Sequence, residues 1–181
     1  MVGVLPTDVA QLSFDDPGAQ SKALGQLHAG IDRASRLVDQ LLTLSRLDSL
    51  DNLDDVEPVM MADLLQSAVL DIWHPAQQAG IDIRLNVNAP EVMRHGQPLL
   101  LSLLARNLLD NAVRYSPRGS VVDVTLHTQS FTVRDNGPGI SSDALARLGE
   151  RFYRPPGQDA TGSGLGLSIV KRIATLHGTP T

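Results

Sequence analysis

Apolar residues return at every third or fourth position early in the chain: Leu27, Ile31, Ala34, Val38 and Leu41, with Leu24, Leu37, Leu42 and Leu44 beside them. This spacing predicts one long helix, from about Pro17 to Leu47, whose apolar seam is broad enough for a helical bundle. Asp16 ahead of Pro17 fits its start, because a proline in the first turn loses no hydrogen bond. Lys22, Asp32, Arg33, Arg36 and Asp39 occupy the other faces. So one-sided a helix needs a partner, and the pattern leaves its own domain and a second chain equally open. Met1–Asp16 carries no clear pattern. The acidic run Leu47–Asp55, with Pro58 soon after, predicts a linker.

Beyond the linker the period changes repeatedly. A short strand is expected near Glu57–Met61, then a helix over Asp63–Gln78 ending at Gly80. Ile81, Ile83, Leu85 and Val87 alternate as a strand, and a brief strand at Val92–Arg94 leads into a helix over Pro98–Val113. Val122, Val124 and Leu126, then Phe131 and Val133, predict paired strands about a turn near Thr128–Ser130. A short helix at Asp143–Leu148, a Gly- and Pro-rich stretch from Pro155 to Gly164 and a last helix over Leu165–His177 complete the order. Without a regular βαβ rhythm, the class is α+β: one sheet with helices on one face. The expected division is residues 1–54, helix and linker, and residues 55–181, the mixed unit.

Composition narrows the chemistry. A hydrophobic share of 42% and a charged share of 19% suit a globular protein. Net charge is −5, which supplies no bulk basic field for nucleic acid. With no cysteine there are no disulfides, thiolate metal sites or cysteine nucleophiles. No apolar run approaches the roughly 18–20 residues of a membrane span and no signal peptide opens the chain, so the 181 residues are expected to be soluble.

Four patterns carry chemistry. Asn107-Leu108-Leu109-Asp110-Asn111 puts two carboxamides at i and i+4 on one helix face, with Arg114 and Tyr115 a turn later. A carboxamide oxygen is a neutral ligand that suits Mg²⁺ when phosphates supply the charge. Asp135-Asn136-Gly137-Pro138-Gly139-Ile140 places a carboxylate after a strand, beside glycines that let a planar ligand approach. Arg151-Phe152-Tyr153-Arg154-Pro155-Pro156 puts two aromatics in an aromatic-poor chain, where they could plug a flexible loop onto the core. Gly162-Ser163-Gly164-Leu165-Gly166-Leu167-Ser168-Ile169 opens a helix with bare N–H groups, a phosphate-friendly arrangement that is neither a Walker loop nor a dinucleotide fingerprint. Each alone is weak: paired asparagines are more often surface polarity, and Asn-Gly with Pro-Gly more often an acidic turn.

In this order the patterns resemble the N, G1, F and G2 boxes of the histidine-kinase branch of the ATPase superfamily that also holds gyrase, Hsp90-type chaperones and MutL. The resemblance covers Val56 to about His177, and the preceding helix is similar to the second helix of that family's dimerisation domain. It implies a two-layer α/β sandwich of the Bergerat type behind a long bundle-forming helix, with ATP and Mg²⁺ as ligands. Asn111, with Asn107 beside it, is implied at the metal, and Asp135 at the adenine amino group with Gly137 and Gly139 permitting the approach. Tyr115 is implied beside adenine, Arg114 at phosphate, and Gly162, Gly164 and Gly166 in the closure of a lid over Pro155–Ser163; Arg154 reads equally as a phosphate contact from the lid and as a solvated arginine. Ile140, Phe152 and Leu165 complete the expected nucleotide contacts. The parent is implied to be a homodimer anchored upstream in the inner membrane. Its cytoplasmic part would phosphorylate its own histidine and pass the phosphoryl group to an aspartate on a response regulator's receiver domain.

Two departures stand out. The family's acceptor histidine is usually followed by an acidic residue, whereas His28, His74, His95, His127 and His177 precede Ala29, Pro75, Gly96, Thr128 and Gly178. The family's domain also continues past a His-Gly pair into two more strands, so the expected sandwich has its last strands cut away and an open sheet edge. Rival readings are an ATPase or chaperone of the same superfamily, which favours glutamate where Asn107 stands, and a dimerisation module without nucleotide.

Overall fold

The computed structural model describes residues 17–155 and 162–179. Two compact units are present, Met1–Leu42 and Thr43–Thr181. The expected cap Asp16 lies outside the described residues.

Helix α1 (Pro17–Asp48) supplies the described part of the first unit and continues into the second. The periodic seam forms as a continuous helix, and its large residues stay open in the single chain: Ile31 is 60% and Val38 53% exposed. The last turns, from Thr43, belong to the second unit, where Leu44 and Leu47 are buried. The helix stops at Asp48, where Leu50 N–H turns back to the Leu47 carbonyl and Ser49 Oγ donates to that of Arg46.

The second unit continues as β1 (Glu57–Met60), α2 (Met61–Ala79), β2 (Asp82–Val87), β3 (Met93–Gly96) and α3 (Pro98–Tyr115), then β4 (Val121–Leu126), β5 (Phe131–Arg134), α4 (Ser142–Arg147) and α5 (Gly166–Leu176). Buried Met61, Leu64, Leu65, Ala68, Ile72 and Ala76 form the inner stripe of α2. Gly80 ends that helix at φ 71°, while the N–H of Ile81 reaches the Ala76 carbonyl. β2 runs parallel to β4, with Ile83 opposite Val122, and β4 runs antiparallel to β5. Helix α3 packs against α2 and α5, while α2 meets β2 and α3 meets β5. Two layers result. Their core holds Leu65, Ile72, Ile81, Leu109, Val122, Val124 and Leu126, each at most 2% exposed.

One expectation is corrected. The strands form two ladders, not one sheet: β1 with β3, and β2-β4-β5. β1 passes into α2 without an intervening residue, and Met61 N–H donates to the Val92 carbonyl, so the chain leaves the ladder after four residues. For the same reason α2 begins two residues before its expected start, and the strand expected at Val92–Arg94 lies at Met93–Gly96. Among the described residues β5 pairs with β4 alone. No helix among them is long and apolar enough to cross a membrane.

Candidate nucleotide site

Helix α3 is the spine of the site. Asn107, Asn111, Arg114 and Tyr115 sit at i, i+4, i+7 and i+8, so its winding brings them to one side. Asn107 is only 8% exposed, and its Nδ2 donates to the Leu103 carbonyl at 2.8 Å. That bond orients the side chain and leaves Oδ1 toward Gly166: a Cβ built there would lie 3.1 Å from Asn107 Oδ1 and 3.6–3.7 Å from the Asn111 amide atoms. Both carboxamides therefore meet the first residue of α5. Leu165, at the cap position, offers no side-chain acceptor to that helix, whose first-turn N–H groups have no intrahelical partner. Asn111 Nδ2 is buried with no hydrogen-bond partner, a deficit of about 1–3 kcal/mol in a closed protein.

Toward the C-terminus of α3 the second pattern joins the first. Gly137 N–H donates to Asp135 Oδ1 at 2.8 Å, folding the loop after β5 into a tight turn. A Cβ on Gly137 would stand 2.8 Å from both Asp135 Oδ1 and the Tyr115 carbonyl, so only glycine lets the loop lie on the end of α3. A carboxylate has about four acceptor sites, and the turn leaves Asp135 able to take a further donor. Gly162 completes the arrangement, its Cβ position lying 2.9 Å from Arg114 Nη1 and 3.8 Å from the Tyr115 hydroxyl.

The third and fourth patterns are tied by backbone. Phe152 N–H donates to the Gly164 carbonyl at 3.0 Å, with Phe152 at φ 63° and Gly164 at φ 72°. A Cβ on Gly164 would lie 2.7 Å from the Phe152 carbonyl carbon. The two roots of the expected lid are thus pinched together, while its residues 156–161 lie outside the described residues. The aromatic plug is corrected here. Phe152 is 57% exposed, and its backbone makes the fastening because a left-handed φ turns the side chain away. Tyr153 is half-buried with the Arg147 guanidinium 4.1 Å from its ring centroid, and the Glu150 hydrogen bond holds the Arg147 pKa above its ordinary value. Arg154 and Ile140 are exposed, and nothing lies within 4 Å of the Cβ direction of Gly139.

Sequence reasoning passed over Ser163, whose Oγ accepts from Leu165 N–H at 3.1 Å and shapes the entry to α5. A serine three residues before a helix start was the available signal. Among the described residues no group of three or more His, Cys, Asp or Glu could hold a metal. A divalent cation here must rely on carboxamide oxygens and on oxygens that a ligand brings. The carboxamide oxygens of Asn107 and Asn111 are of that type, while the unpartnered donor Asn111 Nδ2 suits an arriving oxygen and not the cation itself. The large groove, about 340 Å³ between α3, α5 and the β4–β5 turn, is lined by none of the expected ligand residues.

Glycine-hinged loops laid on an asparagine-bearing helix, with a bare helix N-terminus opposite, define an ATP-binding domain. The family described as "Histidine kinase-, DNA gyrase B-, and HSP90-like ATPase" matches residues 96–181. A solved structure of the cytoplasmic segment of histidine kinase QseC matches at 62% identity over 82% of this chain and 81% of that one, TM-score 0.57. The chain belongs to the sensor histidine kinases, as their ATP-binding catalytic region. Within them it is 75% identical over 172 residues to Sensor protein QseC of Salmonella typhi, covering 95% of this chain and 38% of that protein. Full-length ShkA in complex with AMPPNP also matches, at 26% identity over 97% of this chain and 38% of that one, TM-score 0.71.

Proposed function

We propose that the chain binds ATP with Mg²⁺ and serves a parent kinase that phosphorylates its own histidine and then an aspartate of a response-regulator receiver domain. One observation carries this reading: two carboxamides of α3 meet the uncapped start of α5 at Gly166. Asp135 accepts from the adenine amino group, and Tyr115 borders the ring where Gly137 and Gly162 bring the loops onto α3. The N–H groups of α5 and the Arg114 guanidinium receive phosphate charge. Asn111, with Asn107 beside it, holds the cation, which when bound neutralises phosphate oxygens. Phosphoryl transfer is governed by positioning and charge stabilisation, so the domain requires no nucleophile of its own. Hydrolysis is disfavoured because a buried Asn107 bonded to a backbone carbonyl cannot act as a base toward water.

Residues 1–54 are read as the second helix of a dimerisation domain with its linker, and residues 55–181 as the catalytic domain. The parent is a homodimer anchored in the inner membrane, with this region in the cytoplasm. The open seam of α1 supports the first assignment, and the family of the relatives supports the second. The test is a calorimetric titration of the chain with a non-hydrolysable ATP analogue, with and without Mg²⁺. Saturable binding that tightens with Mg²⁺ is expected, and no binding by folded protein overturns the site.

A further inference from the structure

The loop that follows β5 carries the one Asn-Gly step of the sequence, Asn136-Gly137. Asn136 is exposed and lies in neither helix nor strand. Attack of the Gly137 nitrogen on the Asn136 side-chain carboxamide closes a five-membered ring, an intramolecular reaction that needs no outside nucleophile. Two things ordinarily hold such a reaction back: the side chain of the following residue, which crowds the nitrogen, and the proton that the nitrogen must lose. Here both are removed. A Cβ at position 137 would stand 2.8 Å from Asp135 Oδ1 and from the Tyr115 carbonyl, so packing against α3 keeps the nitrogen unshielded by any side chain of its own. Gly137 N–H already donates to the Asp135 carboxylate at 2.8 Å, which sets a base on the proton that must leave.

We propose that Asn136-Gly137 is a self-modification site, at which the loop after β5 deamidates with Asp135 as the positioned base. Asp135 takes the Gly137 amide proton as the nitrogen bonds to Asn136 Cγ. The carboxamide C–N bond breaks and ammonia leaves with that proton, giving a succinimide. Water then adds to one of the two ring carbonyls and breaks its bond to the Gly137 nitrogen, which is reprotonated. Aspartate or isoaspartate is left at position 136, and the net change converts a carboxamide and water to a carboxylic acid and ammonia. Either product adds a negative charge beside Asp135. Isoaspartate also lengthens the backbone by one methylene, just before the turn that seats Gly137 on the end of α3. The consequence for ligand rests on the nucleotide reading above: a donor bound to Asp135 occupies the base, so nucleotide protects the loop that binds it.

The test is incubation of the 181-residue chain at neutral pH. Conversion is followed by peptide mass, which reads the exchange of an amino group for a hydroxyl, and by enzymatic methylation specific to isoaspartate. Asn136 is expected to convert faster than any other asparagine of the chain, and conversion no faster than theirs overturns the proposal whether or not nucleotide binds. Asp135→Asn is expected to slow conversion by at least about tenfold, short of the roughly 10²–10⁴ of a well-enclosed base because water also reaches the exposed amide. An unchanged rate in folded protein overturns the proposal. Binding of the ATP analogue is expected to fall in step with the converted fraction, and Asn136→Gln, which cannot close the same ring, to retain it over the same incubation. Equal loss in both chains overturns the link from modification to ligand. Saturating analogue is expected to slow conversion toward the rate of Asp135→Asn. Failure of the fresh chain to bind the analogue overturns the nucleotide reading instead, since the mass readout at Asn136 does not depend on it.

Discussion

Asn107 and Asn111 illustrate how little a residue type says until its surroundings are known. As i, i+4 carboxamides they read more often as surface polarity, yet one is buried and bonded to Leu103 while the other has a buried amide without a partner. Asn111→Ala removes the deficit and the proposed cation ligand together. Stability is expected to change by less than about 1 kcal/mol, while the Mg²⁺ enhancement of analogue binding is lost, as paired titrations with and without the metal would show. Asp135→Asn replaces an acceptor-only group by one that also presents N–H donors. A loss of roughly tenfold or more in analogue affinity is expected, the scale of a hydrogen bond to a charged group, with thermal stability retained. Gly164 answers to geometry. Alanine there meets the backbone of Phe152 at 2.7 Å and adopts φ 72°, so the pinch must open. Faster exchange at the Phe152 amide and weaker analogue binding are the expected result, measured by hydrogen exchange and titration.

At the scale of elements, α1 was the most legible part of the chain, because a seam of apolar residues over many turns admits one period only. Its exposed seam now makes a definite prediction. The 181-residue chain is expected to self-associate in sedimentation at rising concentration, and Ile31→Asp, placed at a 60% exposed seam position, to reduce it. Association unaffected by that substitution would remove the seam from the interface. Helix α2, β2, α3 and the β4–β5 hairpin were also readable, through their stripes, the Gly80 stop and the alternation of Val122, Val124 and Leu126. The joints were not. That β1 enters α2 without a turn, so the strands form two ladders, depends on which ladder each strand can reach. The exposed Phe152 side chain likewise follows from a backbone angle that composition does not encode.

For the molecule as a whole, the five histidines bear on what the chain can do alone. His177 is a structural clasp, its Nδ1 at the Ile173 carbonyl and its Nε2 accepting from Gln97 N–H, and His28 bonds the Leu24 carbonyl on its own helix. Phosphoryl transfer draws its rate from orientation, worth effective molarities of about 10⁵–10⁸ M, and none of the five has the acceptor's sequence setting. The 181 residues are expected to bind nucleotide but to gain no acid-labile, base-stable label from γ-labelled ATP. Strong labelling abolished by replacing one histidine would relocate the phosphotransfer site. The order of the four patterns and the element types were determined by the sequence itself, because they rest on periodicity and on chemistry within a few residues, and the class of ligand followed from the family that this order resembles. Only the tertiary structure decided which glycines are obligatory, since those depend on contacts such as Gly166 with Asn107 and Gly137 with Tyr115. It alone also joined Asp48 to Arg151, because a separation of 103 residues along the chain leaves no local trace of a pairing that packing creates.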